Sequence, residues 1–319
     1  MFTTDLTRPL SPLADPVVSA IFTSVETAGL AAESLVRVVL ESDNNLLTGK
    51  IVRVTPQSTH SSPYHRGCRV DMEIETDTNE WVLAEVQMIT DAAIMQRGLF
   101  SSSSILTKTS TKGDTSAQMV AKLPRVICIN ILGYNIREDN IEVVQPFKIL
   151  YTKPPHAVAI PNFSGYNVQL PRLLEMEPDF TSGLYCWGYT LYTAHKQGKS
   201  VQEVVSMTPA LQAYAKRDDG YQQFCEQYQL AAADPDTRDA YVNWILSIMK
   251  EEGMREGARI EGLREGRLQG VKEGRLEGIK EGIKEQSIAI ARNMLKRSRP
   301  IEEIIEDTGL THDEIMSII

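Results

Sequence analysis

The chain has 319 residues, enough for one large core plus a smaller domain, and its formal net charge is −9 at pH 7. This charge disfavours a general nucleic-acid binder, although contacts to DNA depend on local basic patches. The four cysteines, Cys68, Cys128, Cys186 and Cys225, stand far apart, which predicts free thiols rather than a disulfide framework or a zinc site. No signal-peptide core and no bilayer-length apolar run occurs, so we expect a cytoplasmic protein without a membrane span.

The first predicted elements are a helix, a short strand and a loop. Asp15 precedes an apolar helix pattern with Pro16 at its first position, and we assign Asp15 the role of N-cap in preference to a chemical role. Residues 50–54 form a strand candidate, and the polar segment TPQSTHSSPYHRG at residues 55–67 is predicted to be a loop. Residues 126–132 are the most hydrophobic segment and are predicted to form a central strand.

Two strand-like runs, residues 69–76 and 81–89, are separated by the turn-forming residues 77–79. The two-residue period of a strand divides their side chains between two faces. One face carries Asp71, Glu73, Glu75, Trp81, Leu83, Glu85 and Gln87, and the other carries Val70, Met72, Ile74, Val82, Ala84, Val86 and Met88. If residues 77–79 form the turn, Asp71 lies directly opposite Glu85 in the hairpin, with Cβ atoms roughly 5 Å apart.

Two carboxylates at that distance repel each other unless a cation lies between them or one is protonated. An amphipathic hairpin with one solvated face is the ordinary interpretation of this pattern. A site for a hard metal ion at a phosphate is the functional interpretation. The strongly apolar setting of residues 85–87 supports the functional interpretation, because polar side chains are costly to bury there.

Asp71, then thirteen residues, then Glu85-x-Gln87 resembles the PD-(D/E)xK nuclease core in the version where Gln replaces the usual Lys. That version is typical of the Rpn family of recombination-promoting nucleases, which are also described as transposase-like. Further segments are similar to the same family: LADPVVSAIFTS, MQRGLFSSSSILTK with Arg97 at the position of the family's helix arginine, LPRVICINILGYNI, YNVQLPRLLE and the glycine-glutamate tail. The chain departs from the family at residues 18–20, which lack a basic residue, and at residues 101–104, which are serines instead of aromatic residues.

The resemblance implies a magnesium-dependent DNA endonuclease. Asp71 and Glu85 would be catalytic residues that bind Mg²⁺ through oxygen, Gln87 would orient the water or the phosphate without supplying charge, and Arg97 would contact the substrate. Weaker candidates for a further carboxylate ligand are Glu73, Glu26 and Glu33. The alternative is a catalytically weak or inactive nuclease fold that binds DNA or serves as an oligomeric scaffold.

The resemblance and the alternation of helical and strand-like segments predict an α/β (α+β) fold in four parts. Residues 11–165 would form the nuclease-like core, and residues 166–250 a helical subdomain whose aromatic residues pack internally rather than stack on bases. Residues 251–286 would form a Glu-Gly repeat tail, and residues 287–319 a small helix pair.

Glycine recurs about every fourth residue in the tail, which weakens a solitary helix but allows a second helix to approach closely. Self-association and a flexible charged tether are both compatible with this pattern. From residue 250 to 300 the chain has 13 Lys or Arg and 9 Glu, which suits either a solvated helix face or contact with DNA phosphates. The final helix pair resembles a miniature helix-turn-helix, and a small helical cap is equally compatible.

Overall fold

A computed structural model describes residues 8–23, 25–62, 65–91, 93–108, 113–136 and 141–318. Contacts divide the chain into two compact units, residues 1–247 and residues 248–319. In the described part of the chain, no helix is both long enough and apolar enough to cross a bilayer.

The first unit is built on a six-stranded mixed sheet with the strand order β1-β2-β3-β4-β6-β5. The strands are β1 Ile51–Ser62, β2 His65–Thr76, β3 Glu80–Gln87, β4 Arg125–Leu132, β5 Val144–Phe147 and β6 Phe163–Gln169. β1, β2 and β3 form an antiparallel meander, β4 runs parallel to β3 and β6, and β5 is antiparallel to β6. The prediction of a central strand at residues 126–132 is confirmed, since β4 lies between β3 and β6 and is buried almost throughout.

The predicted hairpin between β2 and β3 is also confirmed. Its turn comprises residues 77–79, and Asn79 has a φ of 61°, a left-handed conformation that asparagine tolerates. Met72 pairs with Ala84 and Ile74 with Val82, so these four side chains join the main core. The turn chemistry therefore fixes which face of each strand is buried.

Two expectations for this hairpin were wrong. Val70 packs with Trp81 and Leu83 in a second core instead of joining Met72. The break in alternation lies beside Gln57 of β1, whose φ of 49° departs from strand geometry. The predicted loop at residues 55–67 instead forms much of β1 and the start of β2, and its residues 63 and 64 lie outside the described part of the chain. The sequence of this segment has none of the apolar alternation that marks a half-buried strand.

Helices cover both faces of the sheet. They are α1 Asp15–Ile21, α2 Val25–Leu40, α3 Ile94–Lys108, α4 Ser116–Lys122, α5 Leu170–Leu173, α6 Gly183–Gln197, α7 Val201–Met207, α8 Pro209–Ala215 and α9 Asp219–Ala233, with a 3-10 turn at Glu41–Asp43. One core joins residues of α1, α2, α6 and α9 to one face of the sheet, while Ile105 of α3 lies in the second core on the opposite face.

The aromatic residues of the helical part pack on one another, as the sequence predicts. Trp187 is 1 % exposed, and its ring centroid lies 4.7 Å from that of Phe224 and 5.4 Å from that of Tyr221. Burial at this level leaves no ring face free for a base, so these rings stabilise the core.

Helix α10, Pro235–Lys296, begins in the first unit, and the boundary between the units falls within it. In the second unit it is followed by α11 Ile301–Thr308 and α12 His312–Met316. Gly309 ends α11 with a φ of 67°, and Thr311 caps α12 in a capping box with Glu314. Residues 288–295, predicted as one helix of a pair, form the end of α10, and residues 301–315, predicted as the other, contain α11 and most of α12. A small core in this part of the chain contains Ala291, Ile304, Leu310 and Ile315.

Candidate active site

Two buried carboxylates meet where β2 and β3 lie side by side. The β2–β3 ladder ends at the Met72–Ala84 pair, and Asp71 and Glu85 are the next residues beyond it on the two strands. The Val86 backbone N–H donates a hydrogen bond of 2.7 Å to Asp71 Oδ2. Asp71 and Glu85 are only 7 % and 9 % exposed, so both acids are held away from bulk water.

Burial and neighbouring charges disfavour the ionised form of both acids. Burial and the nearby Asp71 carboxylate together raise the pKa of Glu85 to about 8, against the opposing effect of Arg97. Burial likewise raises the pKa of Asp71 to about 7, with Asp15 adding to the effect, while the Val86 N–H and Arg97 oppose it. A cluster of buried acids whose pKa values rise together is a common signature of a functional site.

Asp15 belongs to this cluster, a placement that the sequence interpretation missed. The N-cap of α1 is Ala14 and makes no side-chain cap bond, so the predicted capping role of Asp15 is wrong. Asp15 instead occupies the first turn of α1, where its charge raises the pKa values of both Asp71 and Glu85. Its own pKa is raised, mainly by burial. The available signal was its position in the opening motif of the family resemblance, which we interpreted as a local cap.

Arg97, in the first turns of α3, supplies the positive charge nearest to the acids. Its guanidinium forms an ion pair with Glu85 and a second one with Asp91, where Nη1 lies 3.0 Å from Oδ2. The Arg97 side chain remains 37 % exposed. It therefore joins the buried acids to the surface, where a phosphate could reach it.

The other predicted site residues lie around this centre. Gln87 follows Glu85 by two positions on β3 and donates from its side-chain amide to the Ile89 carbonyl, at 2.9 Å. The Glu73 carboxylate is buried and accepts a hydrogen bond of 2.9 Å from the Ser58 hydroxyl.

The candidates on α2 do not join the centre. Glu33 is exposed and lines a surface groove with Arg37 and Arg217, and Glu26 is exposed in the first turn of α2. The carboxylate that the first helical segment contributes to the electrostatics of the site is that of Asp15.

A small cavity adjoins Glu85 beneath α3. Asn130 of β4 pairs with Glu85 across the parallel ladder, and its amide donates to the side chain of Asn167 at 2.8 Å. The cavity has a volume of ≈ 10 Å³, about the room that one water molecule needs. Glu85, Arg97 and Asn130 line it together with apolar residues and with Ser101, whose fully buried hydroxyl has no hydrogen-bond partner among the residues that the structure describes.

The donor set suits a hard divalent cation. Among the residues that the structure describes, no three ligating side chains stand in metal-binding geometry. Mg²⁺, however, is usually held by one or two carboxylates together with water and substrate phosphate. A cation between Asp71 and Glu85 would offset the burial of both charges and the repulsion that raises the pKa of Glu85, so these residues fit such an ion.

Two neighbouring strands of the mixed sheet carry an Asp and a Glu-x-Gln, and a helix arginine lies beside them. This arrangement defines a nuclease-like fold and site. The family model described as PD-(D/E)XK nuclease family transposase matches residues 37–245. The chain belongs to this family, as the sequence resemblance indicated. The match includes Asp71, Glu85, Gln87 and Arg97 and leaves Asp15 and the tail outside it. Searches of curated proteins and of solved structures give no match.

Proposed function

We propose that the protein is a Mg²⁺-dependent DNA endonuclease that hydrolyses phosphodiester bonds. The observation that carries this proposal is the buried Asp71–Glu85 pair. Burial raises both pKa values, the charge of Asp15 contributes to the shift of Asp71, and the charge of Asp71 contributes to that of Glu85. Burying neighbouring acids does not stabilise a fold, because each charge carries a desolvation cost. Family membership supports a nuclease-like function.

Asp71 and Glu85 would hold the ion through their carboxylate oxygens. When bound, Mg²⁺ polarises a phosphodiester and lowers the pKa of a bound water. Arg97 would release Glu85 and turn its exposed guanidinium toward the phosphate, which it can bind with two parallel hydrogen bonds. Asp15 would add negative charge to the site from the first turn of α1.

Gln87 would orient the attacking water or the phosphate by hydrogen bonding. Its amide is neutral, so it contributes neither positive charge nor a conventional base. We therefore expect slower chemistry than in relatives with Lys at this position, and Gln87→Lys should raise the nicking rate. The same neutral residue favours the alternative function, a nuclease fold that binds DNA with weak or no cleavage.

A plasmid-nicking assay separates these functions. Purified protein should nick supercoiled plasmid with Mg²⁺ or Mn²⁺ and not with Ca²⁺, and Asp71→Ala and Glu85→Ala should each abolish nicking. Glu33→Ala is the matched control, since it removes an exposed acid from the neighbouring helix α2. Nicking that survives both active-site substitutions would exclude the mechanism. DNA binding without nicking by the parent protein would favour the alternative.

The biological setting is part of the proposal. The transposase description of the family supports a link to recombination or mobile elements. The described free thiols, Cys128, Cys186 and Cys225, support a reducing, cytoplasmic location, because an oxidising compartment favours disulfides.

We also propose homo-oligomerisation through the tail. Its helix is exposed on every side across residues 251–286, and it carries exposed apolar side chains: Ile260, Leu263, Leu268, Val271, Leu276, Ile279 and Ile283. No described atom outside the helix lies near the tail glycines, so a second helix could approach closely. Light scattering should give a multimer for the full chain and a monomer for a variant with Leu263, Val271 and Ile279 replaced by glutamate. An equal mass for the full chain and the variant would favour the alternative, in which the tail is a flexible charged tether.

A further inference from the structure

Helix α3 carries four serines in a row, residues 101–104, and one of them is unlike the others. A serine inside a helix can donate to the backbone carbonyl four residues earlier. Ser102, Ser103 and Ser104 do so, at 2.7, 2.8 and 3.4 Å from the carbonyl oxygens of residues 98, 99 and 100. The Ser101 hydroxyl is fully buried and has no hydrogen-bond partner in the described part of the chain. Burying a hydroxyl unpaired is costly, so a partner is expected for it.

The Ser101 side chain lines the small cavity beside Glu85, under α3. A volume of ≈ 10 Å³ is about the room of one water molecule, and a buried water needs several polar partners. Apolar residues form part of the wall, and the lining side chains with oxygen or nitrogen atoms are those of Glu85, Arg97, Ser101 and Asn130. Together these side chains supply the donors and acceptors that a single water can use.

Asn130 is held in a fixed orientation at this cavity. Glu85, Asn130 and Asn167 are paired in register across β3, β4 and β6, so they form a polar row on one face of the sheet. The Asn130 amide nitrogen donates to the Asn167 side-chain oxygen at 2.8 Å, and the Asn167 nitrogen lies 3.4 Å from the sulfur of Met95 in α3. Because the Asn130 nitrogen is engaged on the side of β6, the oxygen of the same amide is available to a water in the cavity.

We propose that a buried water in this cavity connects Ser101 and Asn130 to Glu85 and makes both of them positioning residues for that carboxylate. The Ser101 hydroxyl donates to the water, and the water donates to Glu85 and to the Asn130 amide oxygen. This inference rests on the proposed nuclease function, in which Arg97 turns away from Glu85 toward a phosphate. The water is then the donor that keeps the Glu85 carboxylate oriented for the metal, as outer hydrogen bonds do for the ligands of other metal sites.

A crystal structure of the full-length protein, at a resolution that shows ordered water, tests the water itself. We expect density for one water within hydrogen-bonding distance of Ser101 Oγ, Glu85 and Asn130. A dry cavity would overturn the proposal. So would a Ser101 hydroxyl that bonds the carbonyl oxygen of Arg97, as the next three serines bond theirs.

Substitutions at Ser101 separate the hydroxyl from the water. Ser101→Ala removes the hydroxyl and keeps the space, whereas Ser101→Thr keeps a hydroxyl and adds a methyl group that competes with the water for the cavity. Each variant should raise the Kd for Ca²⁺, measured by calorimetry, about tenfold, and should lower kcat for plasmid nicking with Mg²⁺ by a similar factor at unchanged KM. Ser103→Ala is the matched control, since it removes an exposed hydroxyl from the same serine run, and it should change none of these values.

Melting temperatures identify a general loss of structure. We expect Ser101→Ala to melt within about 4 °C of the parent, and because it adds no atom, it tests the proposal whether or not Ser101→Thr folds. A packing role alone would move the melting temperature and leave the Kd for Ca²⁺ and kcat at the parent values, which would overturn the proposal. Parent values of both quantities in Ser101→Thr would also overturn it, because the hydroxyl would then act without the water.

The Ca²⁺ measurement also separates this inference from the proposed function. If the parent protein binds Ca²⁺ more tightly than Ser101→Ala does but fails to nick plasmid, the nuclease mechanism is wrong and the positioning role stands. If the parent nicks plasmid and both Ser101 variants bind Ca²⁺ and nick like the parent, the mechanism stands and the positioning role is wrong.

Discussion

Strand β3 buries a glutamate near each end, and the pKa values of the two carboxyl groups are shifted in opposite directions. Near its start, Glu80 is 4 % exposed and accepts hydrogen bonds from the backbone N–H groups of Thr48 and Gly49, at 2.7 and 2.9 Å, and it forms an ion pair with Arg125. Burial raises the pKa of Glu80, but these donors outweigh it and the net pKa is lowered. Near the end of the strand, burial raises the pKa of Glu85 to about 8.

The difference is one of hydrogen-bonding partners rather than of burial. Glu80 lies among donors, so its charged form is stabilised and the carboxylate ties the loop before β1 to the sheet. Glu85 lies near the Asp71 carboxylate, and Arg97 and the Asp71 backbone N–H stabilise its charge without outweighing burial. A buried acid that is fully satisfied serves the fold, whereas a buried acid in a like-charged cluster serves chemistry.

The largest expected effect is at the structural end of the strand. Glu80→Gln should lower the free energy of unfolding by about 3 kcal/mol, because the new amide N–H would face the donors that now bind the carboxylate and would leave Arg125 without its ion pair. Denaturant unfolding measures this loss. Glu85→Gln is the matched control on the same strand, and we expect it to cost far less. Equal losses of unfolding free energy at the two positions would contradict the distinction between Glu80 and Glu85.

At the active-site end of the strands, we expect removal of an acid to raise the free energy of unfolding rather than to lower it. A raised carboxyl pKa means that the unfolded chain ionises first, so the contribution of Asp71 to stability is complete below pH 4 and is lost as pH rises toward about 7. Asp71→Asn removes this loss and keeps an oxygen that can accept from the Val86 N–H. Without metal, the variant should be about 2 kcal/mol more stable than the parent at pH 8 and close to it at pH 4.

Thermal melts at both pH values measure this difference, and a plasmid assay should show that the stabilised variant is inactive. Glu33→Gln changes an exposed carboxylate and should alter neither stability nor nicking. A destabilised Asp71→Asn protein at pH 8 would contradict the conclusion that the paired acids strain the fold.

Mg²⁺ should relieve the same repulsion in the parent protein. An ion that binds only the folded state at ten times its Kd adds about 1.4 kcal/mol of stability. The melting temperature of the parent should therefore rise with Mg²⁺ at pH 8, and that of Asp71→Asn should rise much less. A rise of equal size in both proteins would indicate binding elsewhere on this acidic chain.

The contrast between the two ends of β3 also shows how much of the fold and of the site could be predicted from the sequence. The turn at Asn79, the register of the hairpin and the central strand β4 follow from local chemistry, and the structure agrees with all three. Asp15 could not be placed, because its role depends on where α1 packs rather than on the helix itself. The strand structure of residues 55–62 and 65–67 was missed because this polar segment lacks the apolar alternation that predicts a half-buried strand.

His195, a buried residue away from the acid cluster, tests whether burial alone identifies a functional site. Burial lowers the pKa of His195 to about 4, with Lys196 adding to the effect, and its Nδ1 lies 2.9 Å from the Ser11 hydroxyl. The unfolded chain takes up the proton first, near pH 6.5, so the stability due to neutral His195 is complete above pH 6.5 and is lost as pH falls toward 4.

At pH 5.5 we expect a loss of about 1 kcal/mol relative to pH 7, and a melt of His195→Gln should lack that part of the acid loss while nicking at pH 7 stays unchanged. Such a result would separate two kinds of perturbed group. The pKa of His195 is lowered mainly by burial, whereas neighbouring carboxylates contribute to the raised pKa values of Asp71 and Glu85, Asp15 to the first and Asp71 to the second. If His195→Gln removed nicking without unfolding the protein, a shifted pKa would mark function wherever it occurs. The cause of the pKa shifts at Asp71 and Glu85 would then no longer distinguish this pair from other buried groups.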